Sequence, residues 1–283
     1  MNISDDIVIP IDSLRRFADL AHGYTTRSLG DLSFRTSREE AGERRRKLAS
    51  ALDIDPLRTF SIPLGHTNRV AVLEHPNFLS GLNNHGYLSA EKVRVGDYPT
   101  ITDNLPDPEH IDRYADGVVW RFPDVLSLVI TADCAAVAFY DPVTGACGNS
   151  HVGLLGAVNR LPEAMVTALQ TNFDSDPADI EVIIYPCVRK CHYDVTRSRT
   201  WQLIKQDVFA AYGADNAFYA ANQFDLPGFI TWQLIEAGIQ KSHIHDTWLC
   251  TVCHNDKFFS HVGAATPDAQ AREGRFGAVI GVR

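Results

Sequence analysis

Cys134 and His151, seventeen residues apart, are the pair in this chain best placed to do chemistry. Cys134 closes Thr131-Ala132-Asp133-Cys134, and His151 opens His151-Val152-Gly153. Between them the apolar run Ala135 to Tyr140 reads as a strand, Asp141-Pro142-Val143-Thr144-Gly145 as a turn, and Ala146 to Ser150 as a returning strand. A hairpin brings residues at its open end together. Cys134 and His151 are therefore expected side by side, either as a thiolate–imidazole pair or as two ligands of one metal ion. A thiolate beside an imidazole base can act as a nucleophile. A catalytic zinc takes three protein ligands from His, Cys or carboxylate and keeps one position open. His66, at the end of an apolar strand in Leu64-Gly65-His66-Thr67-Asn68, is the candidate third ligand.

A rival metal signal lies further on. Cys250-Thr251-Val252-Cys253 is a C-x-x-C, and with Cys187 and Cys191 it would complete a four-cysteine structural zinc site. Gly153 and Gly156 open a helix in His151-Val152-Gly153-Leu154-Leu155-Gly156, where a ligand could approach free backbone N–H groups. Neither a P-loop nor a dinucleotide-binding glycine pattern occurs. Asp133, next to the cysteine, either orients a ligand histidine or caps its strand locally.

The elements that must position these residues are mixed. Helices are expected over Ser13–Ala21, from Thr36-Ser37 to Leu52, over Val158–Thr171, over Thr200–Tyr212 and over Phe229–Gly238. Strands are expected at Phe60–Leu64, Arg69–Glu74, Val118–Trp120, Leu126–Ile130, Cys134–Tyr140, Ile180–Ile184, His243–Leu249 and Arg275–Val282. The stretch from His75 to Asp112 is rich in Pro, Gly, Asn and Asp and reads as a long loop. Strands and helices without a regular βαβ rhythm indicate α+β, and no linker or repeat divides residues 1–283, so a single domain is expected.

Composition narrows the partners. The chain has 283 residues, 45% hydrophobic and 22% charged, with a net charge of −9. That balance argues against nucleic acid or an anionic membrane as the main partner. No apolar stretch is long enough to span a bilayer. An acidic N-terminus and six cysteines without an export signal indicate a cytoplasmic protein with reduced thiols.

Several blocks together resemble the laccase-domain proteins, also called multicopper polyphenol oxidase or YfiH-like proteins. These blocks are His22-Gly23-Tyr24-Thr25-Thr26-Arg27, Asp31-Leu32-Ser33-Phe34, Glu43-Arg44-Arg45, His66-Thr67-Asn68-Arg69-Val70 and Asp116-Gly117. Thr131-Ala132-Asp133-Cys134, Tyr140-Asp141-Pro142, His151-Val152-Gly153, Tyr193-Asp194-Val195, Cys250-Thr251, Phe258-Phe259-Ser260 and Gly274-Arg275 follow in the same order. The resemblance implies a YfiH-like α+β domain with mixed sheets flanked by helices. It implies zinc on His66, Cys134 and His151, with Arg27 and Arg45 at positions matching phosphate-binding residues. The implied activity is phosphorolysis of adenosine, inosine, guanosine or methylthioadenosine, together with adenosine deamination. Nucleoside and phosphate would then be the small-molecule partners. The older family name implies copper and phenol oxidation, but a multicopper site needs more spaced histidines than these motifs provide.

The chain departs from the family pattern where polar groups are expected. Leu154 and Leu155 replace a tryptophan and a basic residue, Leu64 a glutamine, and His261-Val262 a double arginine. An arginine lost from a phosphate site takes a bidentate, permanently charged clamp with it. Deamination needs no such clamp. Asp31 places a carboxylate where the family carries an amide, which makes it a candidate base. The other function classes open to the sequence are a metal-binding protein without turnover and a hydrolase with Cys134 as nucleophile and His151 as base.

Overall fold

A computed structural model describes residues 7–35, 37–81, 94–96, 114–214, 216–264, 266 and 273–283. Most of the loop-like stretch from His75 to Asp112 lies outside the described residues. In chain order the strands are β1 (Leu20–Tyr24), β2 (Thr59–Phe60), β3 (Val70–Leu73), β4 (Arg94–Gly96), β5 (Gly117–Trp120), β6 (Val125–Thr131) and β7 (Ala135–Tyr140). There follow β8 (Cys147–Val152), β9 (Glu181–Ile184), β10 (Tyr219–Ala220), β11 (Gln223–Phe224), β12 (Ile244–Asp246) and β13 (Phe276–Val282). The helices are α1 (Arg38–Ala51), α2 (Leu154–Val158), α3 (Leu161–Phe173), α4 (Arg199–Tyr212) and α5 (Leu226–Glu236).

A seven-stranded sheet runs β12-β9-β7-β8-β5-β3-β4, and a four-stranded sheet runs β1-β13-β6-β2. Parallel and antiparallel pairs mix in both. The strands alternate faces with a period of two. From the large sheet, Val119, Val137, Phe139, Val182 and Ile184 pack with Met165, Leu169 and Leu234 of α3 and α5. Val118, Trp120, Ala136, Ala138 and Ile183 face the small sheet through Val129, Ala278 and Ile280. The outer face of the small sheet, with Ala21, Leu126, Leu128 and Val279, is covered by Leu48 and Ala49 of α1. The order of layers is helix, small sheet, large sheet, helices. Strands buried on both faces lose the apolar–polar alternation of a one-sided sheet, which is why β7 is apolar at every position but its terminal tyrosine.

Differences from the sequence reading have local causes. Ser13–Ala21 is not a helix: Asp12–Leu14 makes one 3₁₀ turn, and Leu20 starts β1, paired antiparallel to β13 from Leu20↔Val282 to Tyr24↔Ala278. Pairing with the far end of the chain overrides local propensity there. The helix expected at Val158–Thr171 begins at Leu161 as α3 and is preceded by the short α2, which ends at Val158; Arg160 takes φ 62° between them, and Pro162 cannot continue a preceding helix. The strand expected at Phe60–Leu64 ends early, ahead of Pro63, which has no N–H for a ladder. By contrast α1 starts where read, with the Ser37 side chain accepting from the Glu40 backbone N–H at 3.3 Å. No helix among the described residues is long and apolar enough to cross a membrane.

The two sheets are also joined by a buried polar bond. Tyr185, which continues β9, donates its hydroxyl to the Val279 carbonyl of β13 at 2.8 Å. A net hydrogen bond contributes about 1 kcal/mol, so Tyr185→Phe should lower unfolding free energy by about that amount in urea titration with the slope unchanged. No measurable loss would mean that the hydroxyl does not tie the sheets together.

Candidate metal centre

The hairpin forms in the register its sequence implies. Ala135 pairs with Val152 and Ala136 with His151, leaving Cys134 at the open end beside His151. Thr131 Oγ1 donates to the Cys134 carbonyl at 2.7 Å and closes the turn that presents the thiol. His66 arrives on the loop between β2 and β3 with φ 58°, a left-handed conformation uncommon outside glycine. Ligand atoms of His66, Cys134 and His151 lie within 4.8 Å of one another. The two imidazoles meet edge to face with centroids 5.0 Å apart.

One buried carboxylate organises this convergence. Asp116 Oδ1 lies 3.0 Å from His151 Nδ1. Asp116 Oδ2 accepts from the Gly65 and Thr67 backbone N–H groups at 3.0 and 2.7 Å, and from the Thr67 hydroxyl at 3.0 Å. The loop that strains His66 and the histidine it must meet are thus fixed to the same side chain. An ionised carboxylate only accepts, so Nδ1 carries the proton and His151 Nε2 is turned toward Cys134 and His66. Gly153 leaves the space: a Cβ there would sit 3.0 Å from Cys134 Sγ and 3.1 Å from His66 Cδ2.

Electrostatics follow from the geometry. Burial alone would raise the Asp116 carboxyl, but its bond to His151 and the neighbouring charges outweigh burial and hold it below the ordinary range. Burial would likewise raise the Cys134 thiol, yet His151 and His66 pull it down to about 6. His151 moves the other way: burial lowers it, and Cys134 and Asp116 raise it further than burial lowers it. A thiolate facing an imidazolium results, and a divalent ion at the centre would displace that proton. Two imidazoles and a thiolate fit a metal ion that accepts nitrogen and sulfur ligands.

The three groups lie on the wall of a cavity of about 1040 Å³. Phe34, Tyr193, Leu154 and Leu155 supply its apolar surface. Arg35, Arg38, Arg197, Arg199 and Arg275 also line it. Of these, only Arg275 belongs to a motif read in the sequence; the other arginines come from loops and helix starts that fold back over the hairpin.

Other expected site residues stand elsewhere. Asp133 is buried and on the cavity wall, but its oxygens accept from Thr251 Oγ1 and Ser260 Oγ at 2.6 Å and from the Val262 N–H at 2.7 Å. It anchors loops, and Asp116 is the residue that orients the histidine. Asp31 accepts from Ser33 N and Arg275 N at 2.9 and 2.8 Å and is not among the cavity-lining residues. Arg45 donates twice to the Leu32 carbonyl and covers the Phe34 ring, while Arg27 bonds the Asn255 and Phe258 carbonyls and Glu273. Neither residue is among those lining the cavity. Gly153 precedes a helix of five residues and stands against Cys134 and His66. Cys187 is buried and is not one of the grouped ligands, and the second cluster is Cys191, His192, Cys250 and Cys253.

The lowered thiol gives a pH signature. Its thiolate is lost only as pH falls through about 6. Alkylation of Cys134 by iodoacetamide in chelator-treated protein should therefore be flat from neutral pH upward and fall below that point. His151→Asn should move the inflection up. An inflection near the ordinary thiol value of roughly 8.5 in the unsubstituted protein would contradict the ion pair.

Residues 21–283 match the family model described as multi-copper polyphenol oxidoreductase laccase. The mouse protein named purine nucleoside phosphorylase LACC1 is 26% identical over 252 residues, covering 85% of this chain and 52% of its own length. The Bacillus subtilis protein named purine nucleoside phosphorylase YlmD is 28% identical over 172 residues, covering 60% of each. The chain thus spans about half the length of the curated relatives it matches. Among solved structures, Bacillus licheniformis hypothetical protein YfiH superposes with a TM-score of 0.71 at 21% identity, over 98% of this chain and 97% of that one. YlmD from Geobacillus stearothermophilus superposes with 0.71 at 22% identity, over 94% and 93%. These two likenesses establish the fold. With the matched model spanning nearly all of its length, the chain belongs to the multi-copper polyphenol oxidoreductase laccase family.

Proposed function

We propose that this protein acts on purine nucleosides, with a zinc ion held by His66, Cys134 and His151. The observation that carries this reading is the convergence of those three side chains on one wall of a cavity that is partly cationic and partly apolar. Relatives named purine nucleoside phosphorylase support the substrate class. A bound zinc supplies a Lewis acid at an open coordination position.

The remaining work falls to the chain. Asp116 keeps the proton on His151 Nδ1 and so keeps Nε2 available to a metal. Arg197, Arg199 and Arg275 give the cavity positive charge suited to phosphate, replacing the clamp lost at Leu155. Phe34 and Tyr193 offer aromatic faces to a purine, and Leu154 and Leu155 exclude water. In phosphorolysis a phosphate oxygen bonds to C1′ as the N-glycosidic bond breaks. The electron pair goes to the purine nitrogen, which takes a proton, leaving free base and ribose 1-phosphate. In adenosine deamination water adds at C6 and ammonia leaves, so the cationic wall is not needed. The leucine at position 155 favours keeping this second reading.

The rival chemistries fit less well. A copper electron-transfer site of two histidines and a cysteine most often takes a methionine, and otherwise a glutamine or a backbone oxygen, as its weak axial ligand. Met165 packs instead in the helix layer, and no methionine is among the cavity-lining residues. A Cys134 nucleophile with His151 as base gives His66 no role, although the residues on either side of His66 are bonded to Asp116.

The zinc-loaded protein should release free base from inosine or adenosine only when phosphate is present, as read by chromatography. Ammonia release from adenosine without phosphate reports the deaminase reading. Zinc bound stoichiometrically with neither base nor ammonia released would leave a binding protein without turnover.

A further inference from the structure

A second group of metal-ligating side chains lies outside the centre described above. The segment after β9 and the segment after β12 continue side by side through a parallel bridge between Cys187 and Cys250. Cys187 N donates to the Leu249 carbonyl at 3.3 Å, and Thr251 N donates to the Cys187 carbonyl at 3.1 Å. Beyond the bridge the first segment turns at Arg189, whose carbonyl accepts from His192 N and Tyr193 N at 2.9 and 3.0 Å. That turn presents Cys191 and His192 to the Cys250–Cys253 turn.

All four ligand atoms lie within 4.8 Å of one another, and the four closest separations are near those of a tetrahedron. Cys191 Sγ and Cys253 Sγ are 3.7 Å apart. His192 Nδ1 lies 3.2 Å from Cys191 Sγ, 3.5 Å from Cys253 Sγ and 3.8 Å from Cys250 Sγ. Zinc bonds of about 2.3 Å to sulfur and about 2.0 Å to nitrogen, at tetrahedral angles, place two sulfurs about 3.8 Å apart and sulfur and nitrogen about 3.5 Å apart. The backbone N–H groups of Cys253, Arg189 and Val252 lie near Cys250 Sγ. N–H groups from the third and fourth residues of a C-x-x-C turn are what a metal-bound thiolate needs to offset its charge. A disulfide between Cys191 and Cys253 would use two of the four groups and give His192 and these donors no purpose.

We propose that Cys191, His192, Cys250 and Cys253 bind a second zinc ion in a closed structural site. Four protein ligands leave no open position, so the site does not take part in turnover. It staples two walls of the cavity. Val188, Tyr193 and Asp194 come from the first segment, and His261 and Val262 follow the second. Both segments are already tied to Asp133, through Val188 N to its carbonyl at 2.8 Å and Thr251 Oγ1 to its side chain at 2.6 Å. The metal would hold together loops whose hydrogen bonds run to the residue next to Cys134.

The test is metal content with thiol mapping on the intact chain. Protein purified under reducing conditions with zinc and then desalted should carry two equivalents by elemental mass spectrometry. Cys253→Ser and Cys191→Ser should each retain one equivalent, and so should the double variant Cys134→Ala/His66→Ala. If the serine variants fail to fold, mass-spectrometric mapping of alkylation on the unsubstituted protein decides. Cys191 and Cys253 are exposed and should react readily after chelator treatment but be protected when zinc is bound. One equivalent in the unsubstituted protein, unchanged by Cys253→Ser, would overturn the proposal. So would equal alkylation of Cys191 and Cys253 with and without zinc, or recovery of the two as a disulfide while zinc content stays the same. Neither reading depends on nucleoside turnover.

Discussion

The structure depends on one buried carboxylate. Asp116 is fully enclosed between β3 and β8 and joins a strained loop to a sheet by four contacts. A carboxylate removed from water is costly unless its oxygens are bonded. Here both are, and the groups that bond them are the supports of His66 and the ring of His151. Satisfying the charge and assembling the candidate ligands are one arrangement. A neutral side chain of the same shape would leave Gly65 and Thr67 N–H groups less well paired and His151 free to take the other tautomer.

The sandwich around this point explains how so small a set of polar groups is tolerated. β7 and β8 lie at the middle of the seven-stranded sheet, with helices on one face and the small sheet on the other. Their rigidity comes from apolar burial on both sides, which leaves the open end of the hairpin as a fixed platform. Loops that close over that platform carry the arginines and aromatic rings of the cavity. The scaffold therefore sets ligand geometry, while the loops set what can approach.

Much of the centre is legible in the sequence. An apolar strand, an Asp-Pro turn and a returning strand suffice to put Cys134 beside His151, because a hairpin has little freedom in register once both faces are buried. His66 was legible as a strand-end histidine. Asp116 was visible as half of an Asp-Gly pair but not as the residue behind His151, since nothing local distinguishes a carboxylate facing inward from one facing water. Asp31, Arg27 and Arg45 show the converse. Their positions match a family pattern, yet their side chains turn to backbone carbonyls and N–H groups that only the folded chain brings near. Nothing in the local sequence marks Arg197 and Arg199, because a helix start far along the chain brings them to the cavity. Cys187 and His192 exchanged roles for a similar reason: strand pairing sends Cys187 into the core, and the turn at Arg189 brings His192 to the other cysteines.

The central claim is that His66, Cys134 and His151 hold one divalent ion together. X-ray absorption at the zinc edge reads that ligand set directly when the second cluster is removed by Cys191→Ser and Cys253→Ser. The account predicts a shell of one sulfur near 2.3 Å and two imidazole nitrogens near 2.0 Å, completed by one light atom. A shell without sulfur, or with more than one, would contradict it.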